Sequence, residues 1–256
     1  MSAFGVGAKA EKLAGGQGDS WRAGDIVLKP AVEGAEWIAQ AMGKIKGREF
    51  RIPRPIPAKD GHYSFMGWCA WSYLEGAQDT KRVPEILEAG RQFHAAVAGL
   101  ERPDFLELRS DPWAIADRMA WGERTMDCHP LLMGLIKELQ EYLRPFDAPE
   151  QLVHCDLIGN VLFQQSSFPG IIDFSFYWRP VEYASAIVVV DALDWHGADA
   201  SIFNQAGSTE GFLQALLRAE IFRIAVYQGF QLSEEELKRR VLAHAPIVAL
   251  LRRQFK

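Results

Sequence analysis

The segment from Leu152 to Ser175, which reads LVHCDLIGNVLFQQSSFPGIIDFS, limits the possible folds of this chain more than any other. Two short apolar runs, 161–163 and 171–172, are separated by a turn that contains Pro169 and Gly170. This pattern predicts a strand, a loop and a second strand that ends on a carboxylate. A unit of this size holds its polar side chains close to one another.

Four polar side chains fall within this unit, namely His154, Asp156, Asn160 and Asp173. One carboxylate can orient the proton of an attacking hydroxyl, and the second can share a magnesium ion with an amide oxygen. Phosphoryl transfer requires that set of groups. The alternative is a polar turn capped by Asp and Asn, which are common turn residues. The apolar runs around four matched positions favour the functional interpretation.

The loop His154–Asn160, which reads HCDLIGN, and the strand 171–175, which reads IIDFS, resemble segments of the aminoglycoside phosphotransferase and small-molecule kinase family, relatives of the protein kinases. The resemblance implies an α+β, two-lobed, protein-kinase-like fold. A small β-rich N-lobe (1–76) would hold the nucleotide, and a larger helical C-lobe (77–256) would carry the catalytic β-hairpin and the acceptor site.

The resemblance also implies roles for the hairpin residues. Asp156 would accept or orient the proton of the hydroxyl, and His154, grouped with it as catalytic, would hold the loop through its ring nitrogens. Asn160 and Asp173 would be the metal ligands. The loop is one residue shorter between Asp156 and Asn160 than the usual family pattern. Gly159 can absorb the difference, because glycine tolerates a positive φ.

A second departure from the family lies after the hairpin. Ala184 stands where most members carry an aspartate. Asp191, one or two turns further along, could bond the backbone of the catalytic loop instead. Because Asp191 lies inside an apolar run, it should have a buried partner or face a pocket, and a structural role is favoured.

Three glycines, Gly15, Gly16 and Gly18, lie between two predicted strands. A Rossmann or Walker loop needs a helix directly after its glycines, so both are excluded. The position suits a glycine-rich flap that closes over phosphates, and such a flap is what the family resemblance implies. A plain turn has the same composition.

Lys29 ends the next predicted strand. In the family, a lysine at this place contacts the α- and β-phosphates and pairs with a glutamate on the following helix, for which Glu36 is preferred over Glu33. The linker between the lobes, with Ser72 and Leu74, would bind the base through backbone groups. The cofactors implied are ATP or GTP, with Mg²⁺.

Composition excludes several other classes of protein. The chain has 256 residues, 48% of them hydrophobic, and a net charge of −5. No apolar run approaches the ~18 residues of a membrane helix, and no basic stripe with interleaved aromatics indicates a nucleic-acid partner. Three scattered cysteines without a CxxC pair are typical of a reduced, cytoplasmic protein. The expected partners are a nucleotide and a small-molecule hydroxyl acceptor.

Helical periodicity predicts further elements along the chain. The N-lobe should contain a helix over 33–42 and one long strand within 62–74. Helices in the C-lobe are predicted over 84–100, 111–121, 131–143, 181–195 and 211–227. A last helix should begin at Ser233, which forms a capping-box pattern with Glu236.

Three functions agree with these patterns. The first is an ATP- or GTP-dependent phosphotransferase that acts on a small molecule, and the second is a catalytically silent nucleotide-binding regulator. The third is a protein kinase. Only a few residues separate Asp173 from the next predicted helix, too few for a peptide-docking activation segment, so the third is disfavoured.

Overall fold

The N-terminal part of the chain forms an antiparallel sheet in this computed structural model, which describes residues 2–5, 7, 9–13, 19–203 and 209–255. The strands of this sheet are β1 (Glu11–Lys12), β2 (Trp21–Ala23), β3 (Ile26–Pro30), β4 (Pro55–Ile56), β5 (Ser64–Phe65) and β6 (Trp68–Ser72). Their order is β1-β2-β3-β6-β4, and β5 also pairs with β6. Helix α1 (Ala35–Lys44) follows β3. We call this sheet and α1 the N-lobe.

The prediction of a single strand within 62–74 is wrong, because β5 and β6 form a tight hairpin there. Met66 and Gly67 make its turn with φ values of 48° and 77°. Two consecutive positive φ angles match the twist of a two-residue hairpin. A methionine at such a position is uncommon, so the aromatic residues around it concealed the turn in the sequence.

The remainder of the chain, the C-lobe, is mainly helical. Its helices are α2 (Val83–Val97), α3 (Phe105–Leu108), α4 (Pro112–Ala120), α5 (Pro130–Gln140), α6 (Val181–Trp195), α7 (Glu210–Ala225) and α8 (Glu234–Arg253). The predicted capping box is present, since Ser233 and Glu236 exchange hydrogen bonds at the start of α8. The small sheet followed by a larger helical region confirms the predicted α+β fold class.

Five short strands of the C-lobe build two small sheets: β7 (Ala77–Gln78), β8 (Glu150–His154), β9 (Val161–Phe163), β10 (Gly170–Ile171) and β11 (Phe176–Pro180). The predicted hairpin is confirmed as β9 and β10, in which Val161 pairs with Ile171. Outside it, β8 pairs with β11, so that His154 lies opposite Phe176. His154 therefore ends a strand instead of lying in the turn.

Strand β11 escaped the sequence analysis because Arg179 and Pro180 interrupt its apolar pattern. Arg179 is nevertheless buried, since its guanidinium donates to Asp117 (2.6 Å) and to Glu123 (2.5 Å). A buried charge of this kind is tolerated when it is paired and hydrogen-bonded. Its partners come from 56 and 62 residues away in the chain, so no local pattern indicates them.

Two apolar clusters stabilise the lobes. The larger extends from α1 through α2 to α6, α7 and α8, where residues such as Ile187 and Leu216 are wholly buried. The smaller lies on one face of the N-lobe sheet and contains Phe4, Leu28 and Ala70. The opposite face of that sheet, which carries Lys29, is left to meet the C-lobe. Among the described residues, no helix combines the length and the apolarity needed to cross a membrane.

Candidate active site

The loop that follows β8 is closed by hydrogen bonds of Asn160. Its Nδ2 donates to the backbone oxygen of Asp156 (2.7 Å) and to Asp156 Oδ2 (2.9 Å). Its backbone N–H donates to Leu157 (3.0 Å), and Gly159 makes the bend with a φ of 82°. The prediction that Gly159 absorbs the missing residue is confirmed. The shorter loop still places Asn160 beside Asp156.

His154 holds this loop from beneath. Its Nδ1 accepts a hydrogen bond from the backbone N–H of Asp156 (3.2 Å), and its Nε2 lies 3.1 Å from the backbone oxygen of Ile172. This pairing makes Nε2 the protonated nitrogen. The ring is wholly buried, and burial lowers the pKa of His154 to about 4. His154 therefore fixes Asp156 and the start of the Asp173 turn, and it does not reach substrate.

A second buried histidine supports the first. His94, on α2, accepts a hydrogen bond at Nε2 from the backbone N–H of His154 (3.0 Å). Burial lowers the pKa of His94 to about 3. Both rings are thus neutral near neutral pH, as acceptors of backbone N–H groups must be. The neutral pair connects α2 to the strand that carries the catalytic loop.

Asp173 joins the two lobes. The backbone N–H of Ile172 donates to the backbone oxygen of Asn160 (3.0 Å), which brings Asp173 next to the catalytic loop. Asp173 has a φ of 53°, a left-handed conformation that costs energy for most residues and is better tolerated by Asp and Asn. Its Oδ1 contacts the ammonium of Lys29 from β3. Burial lowers the pKa of Lys29 to about 8, whereas the carboxylate beside it favours the charged form.

The predicted pair between Lys29 and Glu36 does not form. Glu36 instead accepts a hydrogen bond from the backbone N–H of Tyr63 (2.8 Å) and lies 3.3 Å from Gln40 Nε2. Glu36 lies in the first turn of α1, where its carboxylate can reach the loop before β5. Lys29 takes its carboxylate partner from the other lobe.

The linker between the lobes leaves β6 at Ser72. The hydroxyl of Ser72 accepts a hydrogen bond from the backbone N–H of Arg54 (2.8 Å). This side chain thus anchors residues 45–54, which join α1 to β4 and which we call the N-lobe connector. Leu74 packs its side chain against Gly170, where a Cβ would lie 2.4 Å from Leu74 Cδ2. Within the described chain, no hydrogen bond involves the backbone of Leu74.

Phe174, directly after Asp173, anchors the site in the core. It stacks on Phe176 with ring centroids 5.5 Å apart and on Phe93 at 6.0 Å. Trp71, from β6 of the N-lobe, makes a T-shaped contact with Phe174, with ring centroids 5.7 Å apart. Aromatic contacts of this type are worth about 0.5–1.5 kcal/mol each beyond the area they bury. These contacts fix Phe174, and with it the position of the neighbouring Asp173 between the lobes.

The sequence analysis missed Arg223. This buried arginine of α7 donates two hydrogen bonds to Asp191 of α6, at 2.6 and 2.5 Å. Its Nη2 also lies 4.0 Å from Asp156 Oδ1. The buried partner expected for Asp191 is therefore Arg223, and the pair places a positive charge beside the catalytic loop. No distinctive signal in the sequence marked it, because α7 also carries Gln214, Arg218 and Glu220.

The oxygens of the site fit Mg²⁺. Asn160 presents Oδ1 once its Nδ2 is bound to Asp156, and the side chain of Asp173 is 39% exposed. Among the described residues, no cluster of three or more His, Cys, Asp or Glu could hold a metal. Mg²⁺ is commonly held by one or two carboxylates together with phosphate oxygens, and it does not require such a cluster. Asn160 and Asp173 are thus the residues that would hold it.

The structure brings some of the predicted site residues together and not others. Asn160 is hydrogen-bonded to Asp156, Lys29 contacts Asp173, and His154 bonds to the backbone of Asp156 and of Ile172. Ser72 and Glu36 are occupied by hydrogen bonds to other parts of the N-lobe. Gly15, Gly16 and Gly18, the predicted flap, lie outside the described residues.

Comparisons with known proteins agree with this geometry. The model of the family described as "phosphotransferase enzyme family" matches residues 20–178, a span that includes Lys29, the catalytic loop and Asp173. A microcompartment-associated aminopropanol kinase is similar in structure, with a TM-score of 0.65 and 14% identity over 99% of this chain and 95% of that chain. No curated protein matches the sequence.

Two other solved structures share the fold. A thermostable mutant of an aminoglycoside phosphotransferase has a TM-score of 0.59 and 15% identity, over 98% of this chain and 96% of that one. An ethanolamine kinase of Plasmodium vivax has a TM-score of 0.58 and 12% identity, over 96% and 83%. These likenesses show a common kinase-like fold. Because the family match spans more than half of the sequence, this chain belongs to the phosphotransferase enzyme family.

Proposed function

We propose that this phosphotransferase moves the γ-phosphate of ATP or GTP to a hydroxyl group of a small molecule in a reaction that depends on Mg²⁺. The observation that carries the proposal is the connected set of Asp156, Asn160, Asp173 and Lys29. Asn160 bonds to Asp156 through its side chain and accepts, at its backbone oxygen, the N–H of Ile172 next to Asp173, which Lys29 contacts from the other lobe. Phosphate-binding and metal-binding groups brought together from two lobes suit a nucleotide and a metal.

Asp156 is suited to orient the acceptor hydroxyl. Asn160 occupies its Oδ2, which leaves Oδ1 to accept a proton or a hydrogen bond. About half of the side chain is exposed (48%), so an acceptor can reach it. The recess around Asp156 raises the pKa of its carboxyl, and Arg223, 4.0 Å away, favours the ionised form. An ionised carboxylate held in this way can align a hydroxyl with a phosphoryl group.

Lys29 and Asp173 would bind the phosphate end of the nucleotide. The ammonium of Lys29 is a point charge that suits phosphate oxygens. When bound to Asp173 and Asn160, Mg²⁺ would neutralise charge on the phosphates. The rest of the contribution comes from alignment, because phosphoryl transfer needs little covalent chemistry from the protein.

A thermal-shift experiment tests the nucleotide and metal parts of the proposal. We expect ATP or GTP with MgCl₂ to raise the melting temperature of the wild-type protein by several degrees, since a ligand that binds only the folded state stabilises it. Asp173→Asn should lose the part of this shift that depends on Mg²⁺. Asparagine tolerates the left-handed backbone of residue 173, so the fold should be retained. Asp127→Asn, an exposed carboxylate, is the matched control. Equal shifts in the wild type and Asp173→Asn would contradict the metal role.

Turnover tests the transfer step. The two kinases with similar folds act on amino alcohols according to their names, so these compounds should come first in a panel of hydroxyl acceptors. We expect ADP or GDP release that depends on one acceptor, and a loss of more than a hundredfold in Asp156→Asn with nucleotide binding unchanged, because general-base contributions are about 10²–10⁴-fold. Nucleotide binding without transfer to any acceptor would favour the silent regulator.

A further inference from the structure

One face of the N-lobe sheet is directed toward the C-lobe. Val27 pairs with Arg22 on β2 and with Trp71 on β6, and residues directly opposite in a sheet share a face. Lys29 lies two residues beyond Val27, on that same face, and its ammonium reaches Asp173 in the C-lobe. Trp71 likewise contacts Phe174. Arg22 therefore lies on the face of the N-lobe sheet that is directed toward the C-lobe.

Two buried apolar side chains, one from each lobe, lie near the two ends of the linker. Val27 and Leu162 are both 8% exposed, yet neither belongs to the two apolar clusters of the core. Val27 lies opposite Trp71, just before the linker, and Leu162 lies against Gly76 at its end, where a Cβ would be 2.9 Å from Leu162 Cβ. An apolar side chain from each lobe beside the backbone of the linker suits a flat, apolar ligand group such as a purine base.

The guanidinium of Arg22 is held flat at this place. It lies over the ring of Tyr73, a linker residue, with 3.5 Å between its central carbon and the ring centroid. Its Nε donates to the backbone oxygen of Gly24 (2.8 Å), which fixes the side chain. In the described part of the chain, Arg22 makes no ion pair with a carboxylate. One face of the guanidinium is covered by Tyr73, and the side chain remains partly exposed.

We propose that Arg22 stacks the second face of its guanidinium on the purine base of the bound nucleotide, forming a three-layer stack with Tyr73. This inference rests on the proposed function. The planar, delocalised guanidinium stacks on aromatic faces, whereas a lysine ammonium cannot. Arg22 is thus a binding residue for the base, and Lys29 serves the phosphates.

Calorimetric titration with three probes separates these two roles. The probes are ATP, adenosine, which lacks phosphates, and inorganic tripolyphosphate, which lacks a base. Arg22→Ala should weaken ATP and adenosine by the same factor, about fivefold, because one stacking contact is lost. Tripolyphosphate should bind the variant as it binds the wild type. Arg22→Met, which keeps an unbranched stem without the plane, should resemble Arg22→Ala, and Arg22→Lys should recover little.

Arg82 provides the matched control. Its guanidinium lies over the ring of Phe163 at 4.0 Å, but it precedes α2 and is exposed. Arg82→Ala should bind all three probes as the wild type does. Adenosine binding that is unchanged in Arg22→Ala and Arg22→Met would overturn the inference, as would a loss confined to tripolyphosphate and ATP. A wild-type protein that binds no nucleotide would overturn the proposed function and this inference with it.

Discussion

Gly159 is the residue at which the catalytic loop accommodates its shorter length. Its φ of 82° lies in the region that side chains rarely adopt, and a Cβ built on it would meet no atom within 4 Å. The requirement at this position is therefore conformational and not steric. The bend it makes allows Asn160 to return to Asp156.

Gly159→Ala should lower the free energy of unfolding by about 1–2 kcal/mol, which is the cost of a left-handed backbone for an L-residue. Urea denaturation measures this change. Gly134→Ala, at an exposed position inside α5, is the control and should raise stability by about 0.5–1 kcal/mol, because alanine favours a helix. A stable Gly159→Ala protein with full turnover would show that the bend is not needed.

The buried histidines make stability depend on pH. In the unfolded chain, His94 and His154 titrate near pH 6.5, whereas the folded protein holds them at pKa values of about 3 and about 4. Between these values the unfolded state binds more protons, so the free energy of unfolding falls as the pH decreases. Above about pH 7 both states carry neutral rings, and the contribution to the slope vanishes.

His94→Gln should reduce this slope by up to about 1 kcal/mol per pH unit between pH 4.5 and 6, because one of the two titrations is removed. The Gln side-chain oxygen can still accept the hydrogen bond from the His154 backbone. Denaturation curves at several pH values, compared with the wild type, measure the difference. An identical slope in both proteins would mean that His94 is already protonated in the folded state.

At the scale of elements, α6 and α7 are joined by a buried ion pair. Asp191 and Arg223 meet with two short hydrogen bonds, and both side chains are almost fully buried. Removing Asp191 leaves the charge of Arg223 in the core with only the more distant carboxylate of Asp156, 4.0 Å away. The pair thus links α6 to α7 at these two positions.

Asp191→Ala should lower the free energy of unfolding by about 3–5 kcal/mol, the usual cost of stranding a buried charge. The double variant Asp191→Leu with Arg223→Met should recover most of this loss, because no unpaired charge remains. Denaturation of the single and double variants measures both effects. A double variant as unstable as Asp191→Ala would indicate that the shape of the pair, and not its charge, is what the helices require.

The sequence predicted those elements whose signals are local. The helix at 181–195 has the predicted bounds, and the predicted cap at Ser233 is present, because capping depends on residues three positions apart. The catalytic loop was found because its residues are close in the chain. The β8–β11 pairing was missed, since its buried Arg179 depends on carboxylates from a distant helix and loop. Arg223 was missed for the same reason.

At the scale of the whole molecule, Arg51 fastens the N-lobe connector to the C-lobe. Its side chain donates to the backbone oxygens of Phe168 (2.7 Å) and Glu75 (3.0 Å). Its backbone bonds to Pro169 and Ile171, both at 2.8 Å. Arg51 thus connects the β9–β10 hairpin with the linker between the lobes.

Arg51→Ala should lower the free energy of unfolding by about 1–2 kcal/mol, because two charge-assisted hydrogen bonds to backbone oxygens are lost. Amide hydrogen exchange should become faster at residues 73–78, since the linker loses its fastening. Arg48→Ala, an exposed arginine in the same connector, is the control and should change neither. Unchanged exchange in the linker of Arg51→Ala would contradict this role.

Under the proposed function, the direct contact between Lys29 and Asp173 must break before either side chain binds its ligand. A nucleotide that binds alone pairs its phosphates with the ammonium of Lys29 and leaves the carboxylate of Asp173 without a partner. A divalent cation that binds alone pairs with Asp173 and leaves Lys29 without a partner. When both bind, the contact between Lys29 and Asp173 is replaced by two contacts, one between the ammonium and the phosphates and one between the carboxylate and the cation. Each should therefore tighten the binding of the other by the same factor, as the reciprocity of linked equilibria demands.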